Sequence, residues 1–133
     1  MIGRSEIRAN DILIAITGDI GKVGLVPAEI ERGNINQHTA RVRVIRDYDP
    51  YFVYTYLCTY RLQQSFQLIK TGLSMPQLSL TQIRAIELPS IDLQEQRCIG
   101  DVFASLDNLI TLHQRKLELL KNLKAALLDK MFV

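Results

Sequence analysis

Tryptophan is absent from this 133-residue chain, aromatic residues make up only 7% of it, and cysteine occurs twice, at Cys58 and Cys98. The two cysteines stand far apart, with no CxxC and no Cys/His cluster of metal-ligand spacing, which argues against a disulfide scaffold, a zinc finger or any metal site. Long hydrophobic runs are also missing. None approaches the roughly 18–20 residues that cross a bilayer, and Met1-Ile2-Gly3-Arg4-Ser5-Glu6 lacks a signal-peptide core. A reduced, cytoplasmic protein with no membrane contact is the expectation. Neither sign of charge dominates, since 16 Lys and Arg face 14 Asp and Glu for a net charge of +2. That balance permits nucleic-acid binding without requiring it, and excludes a strongly basic DNA-coating protein. The 47% hydrophobic and 23% charged content suits one small folded domain and argues against disorder.

The chain changes character at Leu88-Pro89-Ser90. Before it, apolar runs alternate with glycine-bearing turns; after it there is no proline, and apolar residues recur at helical spacing to the end. The reading is a domain over residues 1–90 and a long helical arm over 91–133, in an α/β (α+β) class with a small mixed-strand domain. All the positive excess lies in the first part, which holds 10 basic and 8 acidic residues, whereas the arm has 6 of each. In the domain, Asp11-Ile12-Leu13-Ile14-Ala15-Ile16 and Lys22-Val23-Gly24-Leu25-Val26 read as strands joined by a turn containing Gly18 and Gly21. Glu31-Arg32-Gly33-Asn34 reads as a second turn. The alternation through residues 39–46 predicts a strand with Val42 and Val44 on one face and Arg41 and Arg43 on the other. Asp49-Pro50 is an N-cap followed by proline at the first helical position, opening a helix over about residues 50–69 whose stripe runs through Val53, Tyr56, Leu57, Tyr60 and Leu62. Gly72 suits its stop. Ser79 and Gln82 have capping-box spacing, and residues 85–88 read as a last short strand.

In the arm, Asp92 and Glu95 again have capping-box spacing. A seven-residue series runs through Ile99, Leu106, His113, Leu120 and Leu127, with Phe103, Ile110, Leu117, Lys124 and Met131 four positions on. A helix over about residues 93–131 would be roughly 58 Å long, and a seam kept at heptad spacing asks for another helix. The simpler alternative is an amphipathic helix folded back on its own domain. Ile99, Phe103, Leu106, Ile110, His113, Leu117, Leu120 and Leu127 are the expected pairing residues.

Catalytic patterns are weak. The Gly18-Asp19-Ile20-Gly21-Lys22-Val23 turn has two residues between its glycines where a phosphate-binding Walker loop has four, and Val23 follows Lys22 where that loop needs Ser or Thr. Neither His38 nor His113 has a nucleophile partner nearby in sequence. No cofactor is expected. Basic and amide side chains on loops and a strand face remain: Lys22, Asn36, Gln37, His38, Arg41, Arg43 and Lys70. Arginine suits guanine edges or phosphates, and Asn or Gln can pair with adenine. On composition alone a solvated strand face beside an ordinary polar turn is the better account of Arg41, Arg43 and the polar loop before them, and His38 could as well cap the strand.

The order of motifs, from Asp11-Ile12-Leu13-Ile14 through Gly18, Gly21-Lys22-Val23-Gly24, Asn34-Ile35-Asn36-Gln37-His38, the run from Gly72 through Leu80, Ile83, Leu88-Pro89-Ser90 and Gln94-Glu95-Gln96, resembles the second half of a target recognition domain in specificity subunits of type I restriction-modification enzymes. The arm resembles the conserved-region helix that follows such a domain, through Ile99, Leu106-Asp107, Ile110, Lys116, Leu120, Lys124, Leu127-Leu128 and Met131-Phe132. The resemblance implies a non-catalytic subunit that reads double-stranded DNA. Separate methyltransferase (M) subunits would supply S-adenosylmethionine-dependent methylation, and a restriction (R) subunit ATP-driven translocation and cleavage. It further implies a homodimer, or pairing with another specificity subunit, through the helix. A family recognition domain has a substantial segment before the strand and glycine turn seen here, so its early part is expected to be missing. That leaves a second expectation open: an assembly module, or remnant, that pairs through its helix without binding DNA.

Overall fold

The computed structural model of the chain describes residues 5–70 and 74–132. The chain divides into two units, Met1–Gly100 and Asp101–Val133. The strands are β1 (Glu6–Ile7), β2 (Ile12–Ala15), β3 (Val23–Leu25), β4 (Gly33–Asn34) and β5 (Thr39–Val42), and the helices α1 (Pro50–Leu57), α2 (Tyr60–Lys70), α3 (Leu80–Arg84) and α4 (Leu93–Met131). The α+β class and the long C-terminal helix are as expected, and the described strands all pair antiparallel.

β2 is the centre of a three-stranded sheet in the order β3-β2-β5, with Ile14 opposite both Val23 and Ala40. Its period of two sends Ile12, Ile14 and then Ile16 inward, each below a tenth exposed. They meet Phe52, Val53 and Leu57 of α1, Phe66 of α2 and Leu78 in one apolar core. Each such side chain contributes about 1.5–3 kcal/mol through burial. A second sheet pairs β1 with β4, so Gly33 and Asn34, expected within a turn, form a short strand instead.

Three expected elements come out differently. The strand through residue 46 stops at Val42, which faces Ile12. Before Ile12 the partner strand is turned aside at Asn10, whose φ is +67°, so residues 43–46 have no ladder to join. Val44 still packs against the core. The single helix over residues 50–69 is two helices. Cys58 ends α1, Thr59 donates its hydroxyl to the Tyr56 carbonyl at 2.7 Å, and Gln63 Nε2 donates to the Leu57 carbonyl at 2.9 Å. These side chains satisfy terminal carbonyls that a continuous helix would use. The break turns Tyr60 outward, 80% exposed, and brings Phe66 into the core. The strand over residues 85–88 does not form. Ile86 and Leu88 bury their side chains against the core, but the segment has no ladder partner.

Two of the three expected caps are present, whereas at the start of α4 Asp92 accepts from the Gln94 amide at 2.7 Å without the capping box expected with Glu95. Asp49 accepts from the Phe52 amide with Pro50 opening α1, and Ser79 with Gln82 closes a full capping box on α3. α4 spans the expected residues, and its first turns belong to the first unit. There Gln96 is 1% exposed; its Oε1 accepts from the Asp49 amide at 2.9 Å, and its Nε2 donates to the carbonyls of Asp47 at 3.1 Å and Ile91 at 3.0 Å. In the second unit no described residue is buried. Gly72, expected to stop the single helix over residues 50–69, lies outside the described residues. Among the described residues no helix is long and apolar enough to cross a membrane.

Candidate nucleic-acid interface

The end of the sheet where β2 finishes gathers three loops. The first, residues 17–22, reverses the chain through Gly18 and Gly21, with φ of +66° and +87°. Gly21 donates to the Ala15 carbonyl at 2.9 Å and Lys22 to that of Asp19 at 3.0 Å. A Cβ at Gly21 would lie 2.7 Å from the Phe66 ring, so both the backbone conformation and the close approach require glycine.

The second loop, residues 35–38, enters β5. Asn36 Oδ1 accepts from the His38 amide at 3.0 Å and the Thr39 hydroxyl at 3.3 Å, a local turn made by the side chain. His38 Nδ1 shares a 2.8 Å hydrogen bond with Thr17 Oγ1, tying the first loop to the second. Ile16 donates to the His38 carbonyl at 3.0 Å. In a continued antiparallel ladder the Ile16 carbonyl would accept the His38 amide in return. Asn36 has taken that amide, and the carbonyl instead accepts from Leu78 at 2.9 Å. Leu78 follows the third loop, residues 74–77, whose end is thereby held beside the other two.

Lys22, Asn36, Gln37 and His38 are all exposed at this end. Lys22 and Gln37 have no side-chain partner among the described residues. Asp19 shares the surface, as do Ser74, Met75 and Gln77 of the third loop, which belong to the Gly72–Leu80 run of the family resemblance but were not among the expected contact residues. Only their position beside Ile16 marks them. The side chain of Lys70 lies outside the described residues. Lysine pairs with phosphate, amides can bond adenine edges, and a carboxylate can accept from cytosine N4.

Arg41 and Arg43 are elsewhere. Arg41 donates to the Glu6 carbonyl. Arg43 grips Asp11 with two bonds, Nε to Oδ1 at 2.7 Å and Nη2 to Oδ2 at 2.6 Å, and the Arg8 amide adds a third to Asp11 at 2.9 Å. Burial by itself pushes the Asp11 carboxyl up. The Arg43 and Arg8 bonds, with the positive charge of Arg43 and Arg41, outweigh it and hold the group below its ordinary 3.8. Asp11 in turn raises Arg43. Two further arginines, Arg8 and Arg32, stand 3.5 and 3.7 Å from Glu6 Oε1, at ion-pair range but with no hydrogen bond to that oxygen. Asp11 was legible only as the start of an apolar run.

A cleft of about 550 Å³ lies away from these loops, lined in part by Tyr56, Arg61, Ser65, Gln82 and Glu87. It brings together no histidine or cysteine with an acid or base. On α4, Ile99 is half-buried and packs against the core of the first unit. Phe103, Leu106, Ile110, Leu117, Leu120 and Leu127 are 43–55% exposed, and His113 is exposed among them.

The chain is similar to known proteins at three levels. The family model for the type I restriction modification DNA specificity domain matches residues 3–122. Among curated relatives, the type I restriction enzyme EcoBI specificity subunit of Escherichia coli is 30% identical over 97% of this chain. A putative type I restriction enzyme MjaX specificity subunit of Methanocaldococcus jannaschii is 26% identical over 63%. The chain spans 28% and 20% of their lengths. A chain from structural work on the assembly and conformational transition of the type I R-M system shares the fold. Its TM-score is 0.66 at 16% identity, covering 84% of this chain and 26% of that one. With nine-tenths of its length matched, the chain belongs to the type I restriction modification DNA specificity domain family.

Proposed function

We propose that the chain is a DNA-reading part of a type I specificity subunit: a recognition domain, ending near residue 90, that binds double-stranded DNA in the cytoplasm and performs no chemistry itself. The arm pairs with a second helix, from another copy or another specificity subunit, and docks M subunits, through which an R subunit joins. The observation that carries the DNA reading is the convergence of Lys22, Asn36, Gln37 and His38 on one end of the sheet, where Asn36 and His38 are tied to each other and to Thr17 and Ile16 while the Lys22 and Gln37 side chains stay exposed. Loops fixed on a rigid sheet suit base recognition because their backbone is already set when exposed side chains such as Lys22 and Gln37 meet the duplex.

A salt titration tests it. Binding of a duplex to the full chain, alone and with an M subunit, falls steeply as salt rises, because each phosphate contact releases counterions. Lys22→Ala lowers the slope of log affinity against log salt by about one. Salt-insensitive or absent binding in both arms of the titration overturns the reading. It would favour an assembly module that no longer binds DNA, which the internal engagement of Arg41 and Arg43 supports because it removes two cations from the candidate surface.

A further inference from the structure

The third loop at the sheet end has features that neither its packing nor its hydrogen bonds explain. Met75 is 88% exposed, more than any other exposed large hydrophobic in the described chain. Such a side chain gains nothing from solvent, and methionine is an unbranched, polarizable group suited to irregular apolar surfaces. The loop around it is nevertheless anchored. Leu78, three residues on, is 1% exposed and donates to the Ile16 carbonyl, and the Ser79–Gln82 capping box follows at once. Pro76 between Met75 and Gln77 restricts the backbone. Met75 and Gln77 are therefore exposed on a loop with a fixed base at Leu78, whose amide bonds the edge of Ile16 that also bonds His38.

We propose that residues 74–77 form a third base-reading loop, in which Met75 meets the C5-methyl group of thymine and Gln77 bonds the N6/N7 edge of adenine. The inference rests on the DNA-reading function proposed above and names two residues that determine its specificity. The two groups belong to one base-pair type in the major groove, where the methyl is the apolar landmark. Two extended residues advance at most about 7 Å, and stacked bases rise about 3.4 Å. Met75 and Gln77 thus read the same A·T pair or close neighbours. The amides of Asn36 and Gln37 on the adjoining loop continue the polar surface.

The test selects bound sequences from a duplex library with randomised base pairs, using the full chain with an M subunit, and compares it with Met75→Ala, Met75→Gln and Gln77→Ala. Uracil then replaces thymine at each selected position. The expected result is a motif with at least one A·T pair whose preference falls about tenfold in Met75→Ala and in Gln77→Ala, with the salt slope unchanged. Removing the thymine methyl there weakens the unsubstituted chain and leaves Met75→Ala unaffected. Both side chains are exposed, so unchanged melting temperatures confirm that the variants fold. If all three variants select the original motif with the original affinity, the third loop is not a reader while DNA recognition stands. If the unsubstituted chain selects no motif and shows no salt-dependent binding, both proposals fall together.

Discussion

At the scale of single residues, the domain depends on positions whose chemistry has no substitute. Gly21 carries a left-handed backbone and lies against Phe66. Gly21→Ala pays both for that conformation and for displacing a core ring, and should destabilise the domain by about 2–4 kcal/mol, read as a fall in melting temperature. Asp11 and Arg43 give a pH-dependent term. Because the folded protein holds the Asp11 carboxyl below its ordinary value, the pair's stabilisation is complete above about pH 3.8–4 and drains away as pH falls through the lower folded value. Arg43→Ala leaves a buried carboxylate with only the Arg8 amide. Discounted for the 40% exposure of the Arg43 side chain, the loss is about 2 kcal/mol at neutral pH. Acid unfolding of the variant begins at a higher pH. Urea melts at several pH values measure both effects. Neither position's full role was legible in the sequence. Gly21 reads as a turn former, but its contact with Phe66 is made by a helix more than forty residues on.

At the scale of elements, what was legible was local. The caps at Asp49-Pro50 and Ser79/Gln82, the alternation in β2 and the whole of α4 follow from short-range patterns, and the structure has them. What failed depended on partners. β5 ends where β2 turns away, residues 85–88 bury side chains without finding a strand, and the α1–α2 break is made by Thr59 and Gln63 reaching back to carbonyls. A stripe-based reading cannot see such a break, because Val53 and Leu57 satisfy it in either case. Gln96 is the clearest strut between elements, satisfying three backbone groups of the Asp47–Asp49 turn and the α4 entry from a fully buried position. Gln96→Leu keeps the volume and orphans all three. The expected cost is about 2–3 kcal/mol, with faster hydrogen exchange at the Asp49 amide as the local signature.

At the scale of the whole molecule, apolar surface is divided between a core that is closed and a helix that is open. Leucines at 106, 120 and 127 stay about half exposed, in a unit with no buried residue among those described. A heptad seam of this length is stabilised by a second helix. Sedimentation of the full chain at micromolar concentration should therefore show a pair or a higher assembly, and Leu106→Lys with Leu120→Lys should return it to monomer without lowering the core's melting temperature. A monomeric parent chain would remove the pairing role.

The diverted ladder at Ile16 has a consequence for how such a domain can change. The loops before and after it are tied to the sheet largely through main-chain atoms, the Ile16 amide and carbonyl against His38 and Leu78. Main-chain bonds are indifferent to side-chain identity, so residues at 37 and 74–77 can be exchanged without unpicking the scaffold. The architecture is thus a socket for grafting. Replacing those five positions wholesale should leave the unfolding midpoint within a few degrees, whereas altering Asn36, whose side chain makes the vacancy that Leu78 fills, should not.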